Sequence, residues 1–194
     1  MNSEKEMNNE FNIDDFQLRN EKQPLSIDGE LLAQKKLNID EFNDLDKVYS
    51  SNYVRAISTA KYLLKGNTKL IIDSNLGERK FGIEEEKRDL NFAFNQVLDE
   101  NLKYPNGESR KEVTERIYSS LINILNQDDN KIAIVFHANA MFFLLMKLCE
   151  LELTNNGPRF KFNNDIFFSK KIDFCEIFKL EFNDNHELIS IKNL

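Results

Sequence analysis

Apolar positions along this chain recur at helical spacing, in strand-like runs and in stretches with no surface face. After Ser109 they fall at Val113, Ile117, Leu121, Ile124 and Leu125, a spacing that predicts a helix with one apolar stripe. "SRKE" at Ser109–Glu112 is the capping box that opens it. Residues 131–137, "KIAIVFH", form a continuous apolar run, the type a strand needs when both faces of its sheet are covered. From Ala140 the chain is apolar on all sides as far as Cys149, which predicts a core helix, Ala140–Leu153. Earlier, "DKVYSS" predicts a strand ending at Ser51, and "NYVRAISTAKYLLKG" a helix on Ala56, Ala60, Leu63 and Leu64 that stops at Lys65-Gly66. "KLIIDSNL" predicts a second strand, ending near Leu76. "CEIFKLEF" and "ELISIKNL", joined by "NDNH", predict a terminal hairpin. Residues 1–25 are polar and weakly patterned, so a loop is expected, and residues 83–105 are mixed and partly helical.

Strands alternating with helices predict an α/β sandwich with a mainly parallel sheet. Ligands of such folds collect at the carboxyl ends of the strands. Ser51, Leu76 and His137 lie at those ends.

Composition narrows the function classes. With 194 residues and no repeat or long linker, one domain spanning 1–194 is expected. A net charge of −7 argues against general affinity for nucleic acid or an anionic membrane. It leaves room for a locally basic site that takes a small anion. Cys149 and Cys175 sit in apolar stretches and read as reduced, buried thiols of a cytoplasmic protein. The start "MNSEKEMNNE" has no signal-peptide core, and the run from Ala140 to Cys149 is too short to span a bilayer. No Cys/His cluster suggests a metal, and there is no Walker A, GxGxxG or GxSxG sequence.

Three residues could carry chemistry. Arg55 is in the first turn of a helix after a strand, where a guanidinium fork and free N–H groups favour an anion; a surface ion pair is the alternative. Glu78, in "LGERKFG", could be a general acid or a solvated loop glutamate. His137 ends the buried strand and is either a site residue or a histidine satisfied by backbone. Phe142–Met146 read as core, "GIEEEKRD" as a solvated charged face, and His186 as a surface turn residue.

These pieces occur in a familiar order. "QPLSIDGELLAQ", "VYSSNYVRAISTA", "LGERKFG", "NGES" followed by Arg116, and "VFHANAMFFLL" resemble five successive segments of the histidine phosphatase superfamily, the phosphoglycerate mutase-like proteins. The resemblance covers residues 24–194. It implies a three-layer α/β/α fold and phosphomonoester hydrolysis through phosphohistidine, without metal or other cofactor, on a small phosphorylated molecule. Cationic donors would stabilise the charge on the equatorial oxygens. It further implies that Arg55 is a phosphate-binding arginine, Glu78 the acid that protonates the leaving group, and His137 the second, phosphate-contacting histidine. Ala138 stands where the family usually has glycine; a backbone N–H survives that change, so the resemblance keeps Ala138 among the phosphate-binding positions. Asn139 fits the variant "HGNS" of mutase-like members.

The family begins with an apolar strand running into "RHG.....N". Aligning Asn8 with that phosphate-contacting asparagine puts Met1, Asn2 and Ser3 at the arginine, the nucleophilic histidine and the glycine. The chain as written thus lacks the nucleophile and the first central strand, and inactivity is expected. Either the hairpin slides in beside "IAIVFH", or the chain is an N-terminally shortened form of a longer protein. A phosphatase lineage is favoured over a mutase, because the segment between Gly82 and Gly107 is short. A pseudoenzyme that binds a phosphorylated ligand is the alternative. Residues 83–105 and 154–170 are expected specificity loops, the second carrying Arg159 and Lys161.

Overall fold

In the computed structural model, which describes residues 15–84, 87–155 and 157–194, six helices surround three small sheets. The helices are α1 (Asp15–Lys22), α2 (Ile27–Lys36), α3 (Val54–Ala60), α4 (Phe92–Leu98), α5 (Arg110–Leu125) and α6 (Ala138–Leu148). Strands β1 (Lys47–Ser50), β2 (Lys69–Ile72) and β3 (Ile132–Val135) form a parallel sheet in the order β2-β1-β3. Val48 lies beside Leu70 and Ala133, and Tyr49 beside Ile71 and Ile134.

Side chains alternate across a strand, so the two faces carry different residues. Val48, Ala133, Leu70 and Val135 pack with Ala33 of α2 and Ala60 of α3. Tyr49, Ile132 and Ile134 pack with Leu76 and with Ile124 of α5. Val113, Ile117 and Leu121 of α5 in turn meet Ala140, Phe143 and Leu144 of α6. The result is the expected three-layer α/β/α arrangement with a mainly parallel sheet. The capping box forms in full: Ser109 Oγ accepts from Glu112 N at 3.2 Å, and Glu112 Oε2 accepts from Ser109 N at 2.9 Å.

Three expectations need correction. Residues 15–22, read as loop, are helix α1; the rest of that expected loop up to residue 14, with Asn8, lies outside the described residues. The helix expected to reach Leu153 ends at Leu148, because "ELELT" alternates polar and apolar with period two and Cys149 turns extended (φ −136°, ψ 168°). Within the stretch 154–170, expected as a loop, Gly157–Phe162 and Asp165–Phe168 are strands. β4 (Glu150–Thr154), β5 (Gly157–Phe162) and β6 (Asp165–Phe168) make an antiparallel meander. Asn163 and Asn164, both at positive φ (51° and 69°), close the two-residue turn between β5 and β6. Arg159 and Lys161 are spent on Glu152 of the neighbouring strand, at 3.5 and 2.7 Å.

The hairpin is as expected: β7 (Phe178–Phe182) and β8 (Leu188–Asn193) pair antiparallel, with Leu180 opposite Ile191. It does not slide into the central sheet. It forms its own two-stranded sheet, joined to α6 and the meander through Leu145, Phe160, Phe168 and Ile191. Among the described residues β3 pairs with β1 alone, and no strand precedes β1. Cys149 and Cys175 are free thiols, half-buried rather than fully buried. Among the described residues no helix is long and apolar enough to cross a membrane.

Candidate functional site

β1 and β3 end side by side, and the turns that leave them bring the candidate residues together. Ser51, completely buried, places Oγ 2.8 Å from Nε2 of His137. The Tyr53 N–H donates to the same Oγ at 3.3 Å. Among the described residues, the partner of the His137 ring is therefore the Ser51 side chain. Its own backbone, extended at φ −126° and ψ 157°, opens α6, and Ala138 is the exposed first residue of that helix. Burial, with smaller contributions from the positive charges of Arg55 and Arg116, pushes the His137 pKa from its ordinary 6.5 down to about 3. The ring is neutral near pH 7, in a positive field.

Tyr53 connects His137 to Arg55. Its ring centroid lies 4.5 Å from that of His137, and the Arg55 guanidinium carbon sits 4.7 Å from the same ring. Arg55 is half-buried, and burial lowers its pKa from the ordinary 12.5. Among the described residues it makes no ion pair. Nη1 donates to the Asn20 carbonyl at 2.6 Å and to Asn20 Oδ1 at 3.2 Å, contacts that come from α1. Gln17 of α1 donates to Tyr53 Oη at 2.7 Å, and Asn52 donates to Glu21 at 3.3 Å. Residues 15–22 thus form one wall of the site. "DFQLRNEK" carried a signal for this: good helix formers, an acid at its start and bases in its last turn.

Glu78 is buried, not solvated. Oε1 accepts from Arg79 N at 2.8 Å and Ala140 N at 3.2 Å; Oε2 accepts from Asn139 N at 3.4 Å and Asn139 Nδ2 at 3.2 Å. Two of these donors are backbone amides of the first turn of α6, where a carboxylate is favoured. Glu78 therefore ties its loop to the helix that follows His137. A role as acid needs the carboxyl group to leave some of those donors.

Arg116 positions the Glu78 loop from the other side. It donates to the carbonyls of Asn75 (2.6 Å), Gly77 (2.9 Å) and Glu78 (3.2 Å), and pairs with Glu108 through Nε at 2.8 Å and Nη2 at 2.9 Å. Arg116→Ala is expected to lower stability by about 2 kcal/mol, because several carbonyls lose their donor in a mostly buried setting. Urea denaturation measures this; a change under about 0.5 kcal/mol would show the clamp to be incidental.

Arg79, one residue after Glu78, went unnoticed in the sequence. It is 2 % exposed, stacks 4.3 Å from the Phe81 ring, and donates to Gln96 Oε1 and, at 3.4 Å, to Asn139 Oδ1. Burial pushes its pKa down to about 10. Nothing in "LGERKFG" separates a buried arginine from an exposed one; its aromatic neighbours Phe92 and Phe143 are remote in the chain.

Beside these residues opens a cleft of about 750 Å³, lined by α1, Arg55, Glu78, Phe81, Glu84 and Arg88. His137 stands behind Tyr53 and does not line it.

A model of the histidine phosphatase superfamily, branch 1, matches residues 9–186. This chain belongs to that superfamily. Among solved structures it is similar to mycobacterial hydrolase 1, at 18 % identity over 78 % of this chain and 93 % of that one, with a TM-score of 0.58. It is similar to YhfR of Bacillus stearothermophilus, at 20 % identity over 74 % and 86 % of the two chains and a TM-score of 0.56. It is also similar to the mycobacterial glucosyl-3-phosphoglycerate phosphatase complexed with VO3, at 20 % identity over 73 % and 79 % and a TM-score of 0.56. These likenesses show the histidine phosphatase fold. No curated protein matches the chain.

Proposed function

We propose that this chain is a phosphatase-type protein that holds a small phosphorylated molecule at Arg55, backed by His137 across the Tyr53 ring, and that a polypeptide of this sequence binds it without turnover. The observation that carries the reading is the pair of contacts on Tyr53. They set a half-buried arginine and a neutral, buried histidine on one ring, at the carboxyl ends of two parallel strands. A guanidinium fork is the side chain best matched to phosphoryl oxygens. Superfamily membership supports a phosphoryl ligand over other anions.

The absence of turnover follows from counting histidines. Phosphohistidine chemistry as the resemblance implies it uses a nucleophilic histidine beside a supporting one. The sequence has two histidines, and the second, His186, sits in the β7–β8 turn and pairs with Asn126 Oδ1 at 2.8 Å. His137 supports, and no other imidazole is present to attack phosphorus. Glu78, the implied acid, then has no leaving group to protonate.

The test combines p-nitrophenyl phosphate hydrolysis with calorimetric titration of orthophosphate and vanadate. Hydrolysis is expected at the buffer background, with one binding site whose affinity falls at least about tenfold in Arg55→Gln, the loss of one charge-assisted pair. Clear turnover that disappears in His137→Ala would overturn the claim of inactivity. A folded protein that takes up neither anion would overturn the binding reading.

A further inference from the structure

We propose that β2 is the contact edge of a twofold dimer, in which two copies of this chain join their parallel sheets through an antiparallel β2–β2 pair. This does not depend on what Arg55 and His137 bind.

β2 ends the parallel sheet, and among the described residues no strand lies on its far side. Asp73 N–H donates to the Ser50 carbonyl at 2.9 Å, so Asp73 and, two residues back, Ile71 turn their backbone groups towards β1. Leu70 and Ile72 therefore turn theirs outward. The side chains of this edge are open as well: Ile71 is 36 % and Ile72 45 % exposed, on opposite faces of the sheet. An apolar edge with open backbone groups is a template for another strand, and natural edges are usually blunted by charges, proline or a bulge. The one charge within β2 is Lys69, at its first residue.

The sequence of the edge, "KLIID", selects a second copy as its occupant. Facing residues of an antiparallel pair are either both hydrogen-bonded or both not. An outward-turned residue can therefore face only another outward-turned residue, and a twofold axis within β2 must pass beside a single residue. The axis at Ile71 sets Leu70 against Ile72 of the second copy and Ile72 against its Leu70, so that all the outward N–H and C=O groups of both residues are paired. Ile71 then meets its own copy at the closer, non-hydrogen-bonded position. The same axis sets exposed Lys69 against Asp73, and opposite charges directly across a strand pair attract. The Asp73 carboxylate is held in place by Asn75 N–H at 2.8 Å and by the Ser120 hydroxyl, and its two oxygens have further acceptor sites for an ammonium group. The layers also match. Leu70 lies on the face covered by α2 and α3, and Tyr49 on the face covered by α5. The axis is perpendicular to the sheet, so each helical layer continues into its own copy, over strands in the order β3-β1-β2-β2-β1-β3.

Sedimentation equilibrium at physiological ionic strength tests this. The parent protein is expected to dimerise with a Kd between about 10 µM and 1 mM, the range suited to a small interface. Ile71→Lys sets two ammonium groups face to face and should weaken the dimer at least about tenfold; Lys69→Glu, which then meets Asp73, should weaken it at least about threefold. In the parent, hydrogen exchange at the Leu70 and Ile72 amides should slow as concentration rises, more than at Ile71 and Asp73, which are already bonded to β1. A protein that stays monomeric up to about 1 mM would overturn the proposal. So would a dimer that Ile71→Lys leaves intact, or one whose Leu70 and Ile72 amides exchange equally fast at low and high concentration.

Discussion

Gly82→Ala should cost the protein about 3 kcal/mol or more, a large part of an ordinary stability of about 5–15 kcal/mol. The segment between Gly82 and Gly107 leaves and returns through a neck where the two glycine backbones touch. A Cβ on Gly82 would lie 2.3 Å from the Pro105 carbonyl oxygen and 2.4 Å from Gly107 N. One on Gly107 would lie 2.5 Å from the Phe81 carbonyl oxygen. Gly82 is also left-handed, at φ +78°. The conformation costs an alanine about 1–2 kcal/mol, and the overlap with backbone adds roughly 1–3 kcal/mol. Glu108 N donates to the Lys80 carbonyl at 2.8 Å across the same neck, so strain there reaches the loop that carries Glu78. Gly66→Ala is the control: at φ +56° with open space around its Cβ position, it should lose only the conformational part. Urea denaturation of both variants decides; equal losses would show that the backbone contact contributes nothing.

The second large effect is acid sensitivity from His137. Its folded pKa, about 3, lies below the ordinary 6.5, chiefly because burial disfavours the imidazolium. Between those values the unfolded chain binds more protons than the folded one, so folding weakens as pH falls. The stabilisation is fully present above about pH 6.5 and drains away towards pH 3. Each pKa unit corresponds to about 1.4 kcal/mol, so going from pH 7 to pH 4 should remove about 3 kcal/mol through this residue. His137→Gln should flatten that part of the stability profile, measured by denaturation at each pH. A variant whose profile parallels the parent would show that His137 charges without penalty, and hence that its pocket admits water.

Much of the scaffold was legible in the sequence because the signals are local. The stripe from Val113 to Leu125, the capping box at Ser109 and the apolar run into His137 each depend on residues a few positions apart. The meander was not, because "ELELT" follows the apolar α6 without a break and a two-residue asparagine turn is easily taken for loop. The sequence put Arg55 in the first turn of a helix and His137 just past a strand, as the structure has them, but it did not show their partners. Ser51 holds His137 across two strands, Asn20 reaches Arg55 from a helix that hydrophobic pattern did not reveal, and Arg116 clamps the Glu78 loop from α5.

By itself the sequence determined the alternation of strands and helices, the parallel sheet with its terminal hairpin, and the three residues around which a phosphoryl site is proposed. It also determined the count of histidines on which the proposed absence of turnover rests. Only the tertiary structure decided the state of those residues. Burial sets the charge of His137, the amides of α6 meet Glu78, and α1 lines a cleft together with Arg55, Phe81 and Arg88. These depend on groups far apart in the chain coming within a few ångströms in a low-dielectric setting, which no local pattern encodes.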